Sequence, residues 1–151
     1  MRKILLLAGL LIVLACDNNG NGNRNPFLQE VSFSFEMNLN LPQFSPLTTI
    51  GNAIYISNPN VGIRGIFVIN AGIGVGNNTF LAWEASCPNQ TPNSCSTMEL
   101  VGGTNVICPC DNYEYTLFTG QLLTEPEGEE RVFGLLNYQT RVNGNVITVF
   151  N

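Results

Sequence analysis

Residues 31–41 alternate without a break. Val31, Phe33, Phe35, Met37, Leu39 and Leu41 fall on one side, and Ser32, Ser34, Glu36, Asn38 and Asn40 on the other. A two-residue period suits a strand with one buried face, whereas the faces of a helix repeat about every 3.6 residues. One dry face and one wet face is the habit of antiparallel rather than parallel sheet. Pro42 and Pro46 close the segment, because proline has no N–H to give to a ladder.

Further short strands are expected at 53–57, 65–70, 79–85, 98–101, 104–108, 113–118, 133–142 and 146–150. Gly72, Gly74 and Gly76 supply a turn before the third of these, and Gly102-Gly103 a hinge between 98–101 and 104–108. Asn143-Gly144 is the strongest hairpin signal in the chain and joins the last two. The Gly-x-Gly-x-Gly spacing is read as turn and not as a phosphate loop, since no helix pattern follows it. Outside the first residues no window carries an apolar stripe of helical period. Many short strands at regular spacing give an all-β fold, an antiparallel sandwich or barrel, in one domain.

The N-terminus has a different composition. Arg2-Lys3 precede an apolar run from Ile4 to Leu14, which is too short to span a bilayer at about 20 residues and has the layout of a signal peptide. Val13-Leu14-Ala15-Cys16 resembles a bacterial lipobox, in which the cysteine is lipidated and becomes the mature N-terminus. Residues 17–25 contain no apolar side chain and are expected to form a flexible tether. The expected organisation is a lipoprotein signal peptide over 1–15, the lipidated Cys16 and tether over 16–26, and a β domain over 27–151. This places the domain outside the cytoplasm of a bacterium, held to a membrane of the cell envelope through its lipid.

Charge and composition remove several function classes. The mature chain would carry four arginines, Arg24, Arg64, Arg131 and Arg141, against eleven acidic residues, with no lysine. No basic stripe exists to neutralise phosphates, so nucleic-acid binding is excluded. The chain contains no histidine, which removes the usual general base of Ser-His-Asp chemistry and a common metal ligand. Asp111, Asn112 and Glu114 fall short of the six to eight oxygens of a calcium loop. Trp83 is expected in the core.

Cysteines remain. If Cys16 is the anchor, Cys87, Cys95, Cys108 and Cys110 are left, and four is a number that can pair. Three chemistries compete for them: structural disulfides, a cluster with all-cysteine or mixed ligands, and a redox-active Cys108-Pro109-Cys110. Outside the cytoplasm thiols tend to oxidise, which favours disulfides. A Cys108–Cys110 bond is disfavoured, because it would close a tight ring between residues two apart.

The stretch from Ala82 to Gly120 also resembles the cluster-binding half of Rieske iron–sulfur proteins, and the resemblance extends from about Gly65 to the C-terminus. Phe80-Leu-Ala-Trp-Glu-Ala-Ser-Cys-Pro is similar to the strand leading into their first loop, and Asn105-Val-Ile-Cys-Pro-Cys to that leading into their second. Tyr115-Thr-Leu-Phe-Thr-Gly and Leu135-Leu-Asn-Tyr138 are similar to the later strands of that fold. In that family two cysteines hold the inner iron of a 2Fe–2S cluster and two histidines the outer one. The resemblance puts Cys87 and Cys108 at the inner-iron positions, with Asn89 and Asp111 where the histidines belong. Asn112-Tyr113 stands in place of the usual Gly-Ser, and Glu125-Pro126-Glu127-Gly128 at the loop that covers the cluster.

These departures imply that the cluster is lost, since a carboxamide is a poor iron ligand and Asp111 adds negative charge beside thiolates. The resemblance further implies a Cys95–Cys110 disulfide, matching the family's loop-to-loop bond. It also implies a Cys87–Cys108 bond, because two sulfurs that shared an iron stand close enough to join once it is gone.

The leading expectation is therefore an envelope lipoprotein with a Rieske-like sandwich, no cofactor and no bound metal. It would not be an enzyme, and would act in structure or in interaction with another envelope protein. The alternative is an electron-transfer protein with an unusually ligated 2Fe–2S cluster on Cys87 and Cys108. A third reading is a ligand-binding module that grips a small molecule or glycan between residues 87–95 and 125–130.

Overall fold

The computed structural model describes residues 25–72, 80–126, 128 and 131–151. The signal segment, Cys16 and the tether up to residue 24 lie outside the described residues, as do residues 73–79 and the acidic positions 127, 129 and 130.

Nine strands are present among the described residues: β1 Ser34–Asn38, β2 Ala53–Ile56, β3 Ile66–Asn70, β4 Phe80–Glu84, β5 Glu99–Val101, β6 Asn105–Ile107, β7 Glu114–Thr116, β8 Asn137–Asn143 and β9 Val146–Phe150. They form a six-stranded sheet in the order β1-β9-β8-β4-β3-β2 and a three-stranded sheet β5-β6-β7. Every pairing between them is antiparallel. The fold class is all-β, as expected.

The alternating segment is an edge strand. Met37 is fully buried, Phe33, Phe35 and Leu39 are half-buried against the same core, and the polar positions between them point outward or nearly so. Only Ser34–Asn38 pair, with β9, so the ladder is shorter than the alternation. Pro42 and Pro46 do more than stop the strand. They sit in a 3₁₀ helix, Pro42–Thr48, that plugs the end of the core with Leu47.

Strand β3 explains why two cores form. All five of its residues are buried, because each face meets a different core. Ile66 and Val68 join Phe80, Ala82, Met37, Leu47, Tyr138, Ile147 and Val149 on one face. Phe67 and Ile69 join Trp83, Ala85, Cys87, Met98, Val106, Cys108, Tyr115 and Leu117 on the other. A strand buried on both faces is the central layer of a stack.

Two expected boundaries are corrected. The strand expected over 133–142 begins at Asn137, because the chain before it bonds elsewhere: Leu135 N–H donates to Gly120 O at 2.8 Å, and Leu136 O accepts from Glu84 N–H at 2.9 Å. This stretch stitches the two sheets together. The final hairpin turns on Gly144-Asn145, one residue later than Asn143-Gly144, with Gly144 at φ +57°. Positive φ at the first central residue suits the tight turns that join antiparallel strands.

Candidate functional site

The small sheet presents two loops at its end. The first leaves β4 through Ala85, Ser86 and Cys87 and returns at Thr97. It is held by a Ser86–Thr97 bridge and by Cys87 N–H donating to Ser96 O at 2.8 Å. Asn93 and Ser96 close it internally: Asn93 N–H donates to Ser96 Oγ at 2.7 Å, and Ser96 Oγ–H to Asn93 O at 2.9 Å.

The second loop runs from Cys108 to Tyr113. Cys108 N–H donates to Tyr113 O and Asn112 N–H to Cys108 O, both at 2.9 Å. Asn112 has φ +60°, the one non-glycine among the described residues with positive φ. Asparagine is among the few side chains that tolerate this region, which accounts for its standing where the resemblance has glycine.

Two disulfides tie the loops together. Cys87 bonds Cys108 with a Cα–Cα distance of 5.6 Å, and Cys95 bonds Cys110 with 5.4 Å. This is the pairing that the family resemblance implies. The bonds differ in environment. Cys87 and Cys108 are 0% exposed, whereas Cys95 is exposed and Cys110 half-buried. The Sγ atoms of Cys87, Cys108 and Cys110 lie within 4.8 Å of one another.

The two side chains at the histidine positions are engaged in holding backbone. Asn89 Nδ2 donates to the Tyr115 hydroxyl at 2.7 Å and to Phe133 O at 3.2 Å, while its Oδ1 accepts from Phe133 N–H at 2.7 Å. Asn89 thus clamps the first loop onto the stretch that crosses between the sheets. Asp111 Oδ1 accepts from Tyr113 N–H at 2.9 Å, so its carboxylate shapes the second loop as a local turn. Burial pushes the Tyr115 phenol well above its usual range, with the Asp111 charge adding to the effect.

A 2Fe–2S cluster of Rieske type does not fit this donor set. Its inner ligands are bonded to each other, and its outer ligands are replaced by an amide and a carboxylate already committed to backbone donors. Beside the second loop lies a cavity of about 570 Å³ lined by Cys110, Asp111, Tyr113, Thr124 and Glu125. Its carboxylates make it acidic. Of the two segments expected to grip a ligand, 87–95 stands at the disulfides and Glu125 faces this cavity.

Sequence reasoning missed Glu84, the residue before this loop system. It is 0% exposed, and its carboxylate accepts four hydrogen bonds, from the backbone N–H of Ile63, Arg64 and Ser86 and from the Tyr138 hydroxyl, at 2.6–2.9 Å. Its place between Trp83 and Ala85 on an apolar strand was the available signal: a charge on a strand buried on both faces needs partners.

No protein-family model matches the chain, and no curated protein matches it. Among solved structures it is similar to the plasma-membrane Rieske protein PetC3 of the cyanobacterium Synechocystis PCC 6803, at 24% identity and a TM-score of 0.43, over 65% of this chain and 85% of that one. It is similar to a chain of the oxygenase–ferredoxin complex of carbazole 1,9a-dioxygenase, at 20% identity and TM-score 0.42, over 67% and 82%. A putative NADH-dependent nitrite reductase small subunit from Mycobacterium tuberculosis shows 17% identity and TM-score 0.39, over 81% and 97%.

Proposed function

We propose that the chain is a cell-envelope lipoprotein whose Rieske-like domain has given up its cluster and serves a structural or interaction role. One observation carries this reading: the side chains at the outer-iron positions hold backbone, and the cysteines at the inner-iron positions hold each other. A site arranged that way keeps the two loops rigid with no metal. Anchoring through Cys16 rests on the signal-like run and the lipobox resemblance. The partner would be another envelope protein. A second reading, electron transfer through an unusually ligated 2Fe–2S cluster, draws on the three sulfurs that lie within 4.8 Å of one another.

The test is made on protein extracted from the membrane fraction. The leading reading expects no iron, no visible charge-transfer absorption and no free thiol among Cys87, Cys95, Cys108 and Cys110. Roughly two irons per chain, with four thiols recovered on unfolding, would establish the second reading instead. Separately, Cys16→Ser should release a folded protein from the membrane. Retention of that variant through a high-salt wash would end the anchoring proposal.

A further inference from the structure

The two disulfides are stacked in order of accessibility. Cys95 is exposed and lines a groove of about 550 Å³ with Tyr55, Met98, Leu100 and Pro109, so its sulfur can be reached from outside. Its partner Cys110 sits deeper, and the Cys110 Sγ lies within 4.8 Å of both sulfurs of the inner bond. That inner bond has no surface of its own, since Cys87 and Cys108 are 0% exposed. An external thiol therefore cannot reach the inner bond directly, while Cys110 already stands beside it.

We infer that the pair is a disulfide relay: a dithiol reduces the outer bond at Cys95, and Cys110 passes that reduction to the buried Cys87–Cys108 bond. One thiolate of the dithiol attacks Cys95 Sγ, the Cys95–Cys110 bond breaks, and Cys110 leaves as a thiolate. The second thiol of the donor then displaces the mixed disulfide, so the donor departs as a disulfide and Cys95 is left as a thiol.

The Cys110 thiolate attacks Cys87 and expels Cys108. Attack at Cys108 is disfavoured because it would close the tight ring between residues two apart. The Cys95 thiolate next attacks Cys110, which re-forms Cys95–Cys110 and expels Cys87. The net change is that one dithiol is oxidised, two electrons and two protons move inward, and Cys87 and Cys108 become thiols. The relay goes beyond the structural role proposed above and depends neither on the membrane anchor nor on what the domain binds.

The experiment uses dithiothreitol as the donor, with timed alkylation and mass spectrometry to follow each cysteine. In the wild type the Cys87 and Cys108 thiols should appear only through the outer pair. In the Cys95→Ser/Cys110→Ser double variant the inner bond should be reduced at least about ten-fold more slowly, because no internal thiolate remains. Equal rates in the two proteins would overturn the relay, as would a wild-type inner bond that never opens while the outer one does. The single variant Cys95→Ser tests the same step without added reductant. Its Cys110 should be found bonded to Cys87 with Cys108 free, and a free Cys110 beside an intact Cys87–Cys108 bond would refute the transfer.

Discussion

Glu84 is the one charged side chain among the described residues that is fully buried, and it survives there because its surroundings are all donors. Three backbone amides and a phenol replace its hydration, and a carboxylate accepts from all four without reversing any of them. Glu84→Gln keeps the shape but turns an NH₂ group toward two of those donors. The expected loss is about 2–4 kcal/mol, from broken bonds to a charged acceptor and from donors left unpaired. Denaturant unfolding measures it, and an unchanged midpoint would mean that the loop carrying Ile63 and Arg64 does not depend on Glu84.

Two tyrosines carry a second expectation at the same scale. Burial raises the phenol of Tyr138, and the neighbouring Glu84 charge raises it further; burial likewise raises Tyr115. In the unfolded chain both ionise near pH 10. Above that pH the unfolded state loses protons that the folded state keeps, so stability is fully present below about pH 10 and falls as pH rises. The slope is about 1.4 kcal/mol per pH unit for each such tyrosine. Tyr115→Phe should flatten the decline. A melting temperature independent of pH between about 10 and 12 would contradict the burial of these hydroxyls.

At the scale of elements, β1 shows what alternation can and cannot say. Its apolar face was legible for Phe33, Phe35, Met37 and Leu39, which period two puts on one side, whereas Leu41, beyond the paired residues, is exposed. Its depth was not, since depth depends on which strand it joins, and β1 joins an edge. Phe35 is half-buried, meeting Phe44 edge-on at 6.4 Å, while Met37 is sealed. Phe35→Asp should therefore cost about 2 kcal/mol, the value of a partly buried ring, and not the larger cost of a sealed charge. A melting temperature equal to wild type would place β1 outside the core.

The other misreadings have the same origin. Prolines 42 and 46 read only as a stop, although Pro42 opens and Pro46 sits within a 3₁₀ plug whose Leu47 fills a gap visible only in three dimensions. Residues 133–136 look like strand, yet their backbone groups bond across the seam to Gly120 and Glu84. In the candidate site, cysteine spacing and the family resemblance together put all four sulfurs in two facing loops. Nothing in one dimension showed that Asn89 would reach a residue 44 positions away.

For the whole molecule, the central strands β3 and β4 serve two cores, and the halves on either side differ in what sustains them. One half has the long hairpin β8–β9, the edge strand β1 and the 3₁₀ plug over a wide apolar cluster. The other has three strands of three residues each, of which β5 is exposed throughout, and it holds both disulfides. A sheet that small is poorly self-sufficient. Bonds spanning 15 and 21 residues contribute about 3 kcal/mol each in the chain-entropy account, against roughly 5–15 kcal/mol for a whole domain. Replacing all four cysteines with serine should therefore loosen the molecule unevenly. Amides of β5, β6 and β7 are expected to exchange rapidly with solvent deuterium, while those of β3, β8 and β9 stay protected by the larger core. The layered arrangement makes this outcome specific: losing the small sheet uncovers one face of β3 and leaves the other packed. Exchange mapped strand by strand decides the matter, and protection lost evenly across both sheets would show that the two cores open as one unit.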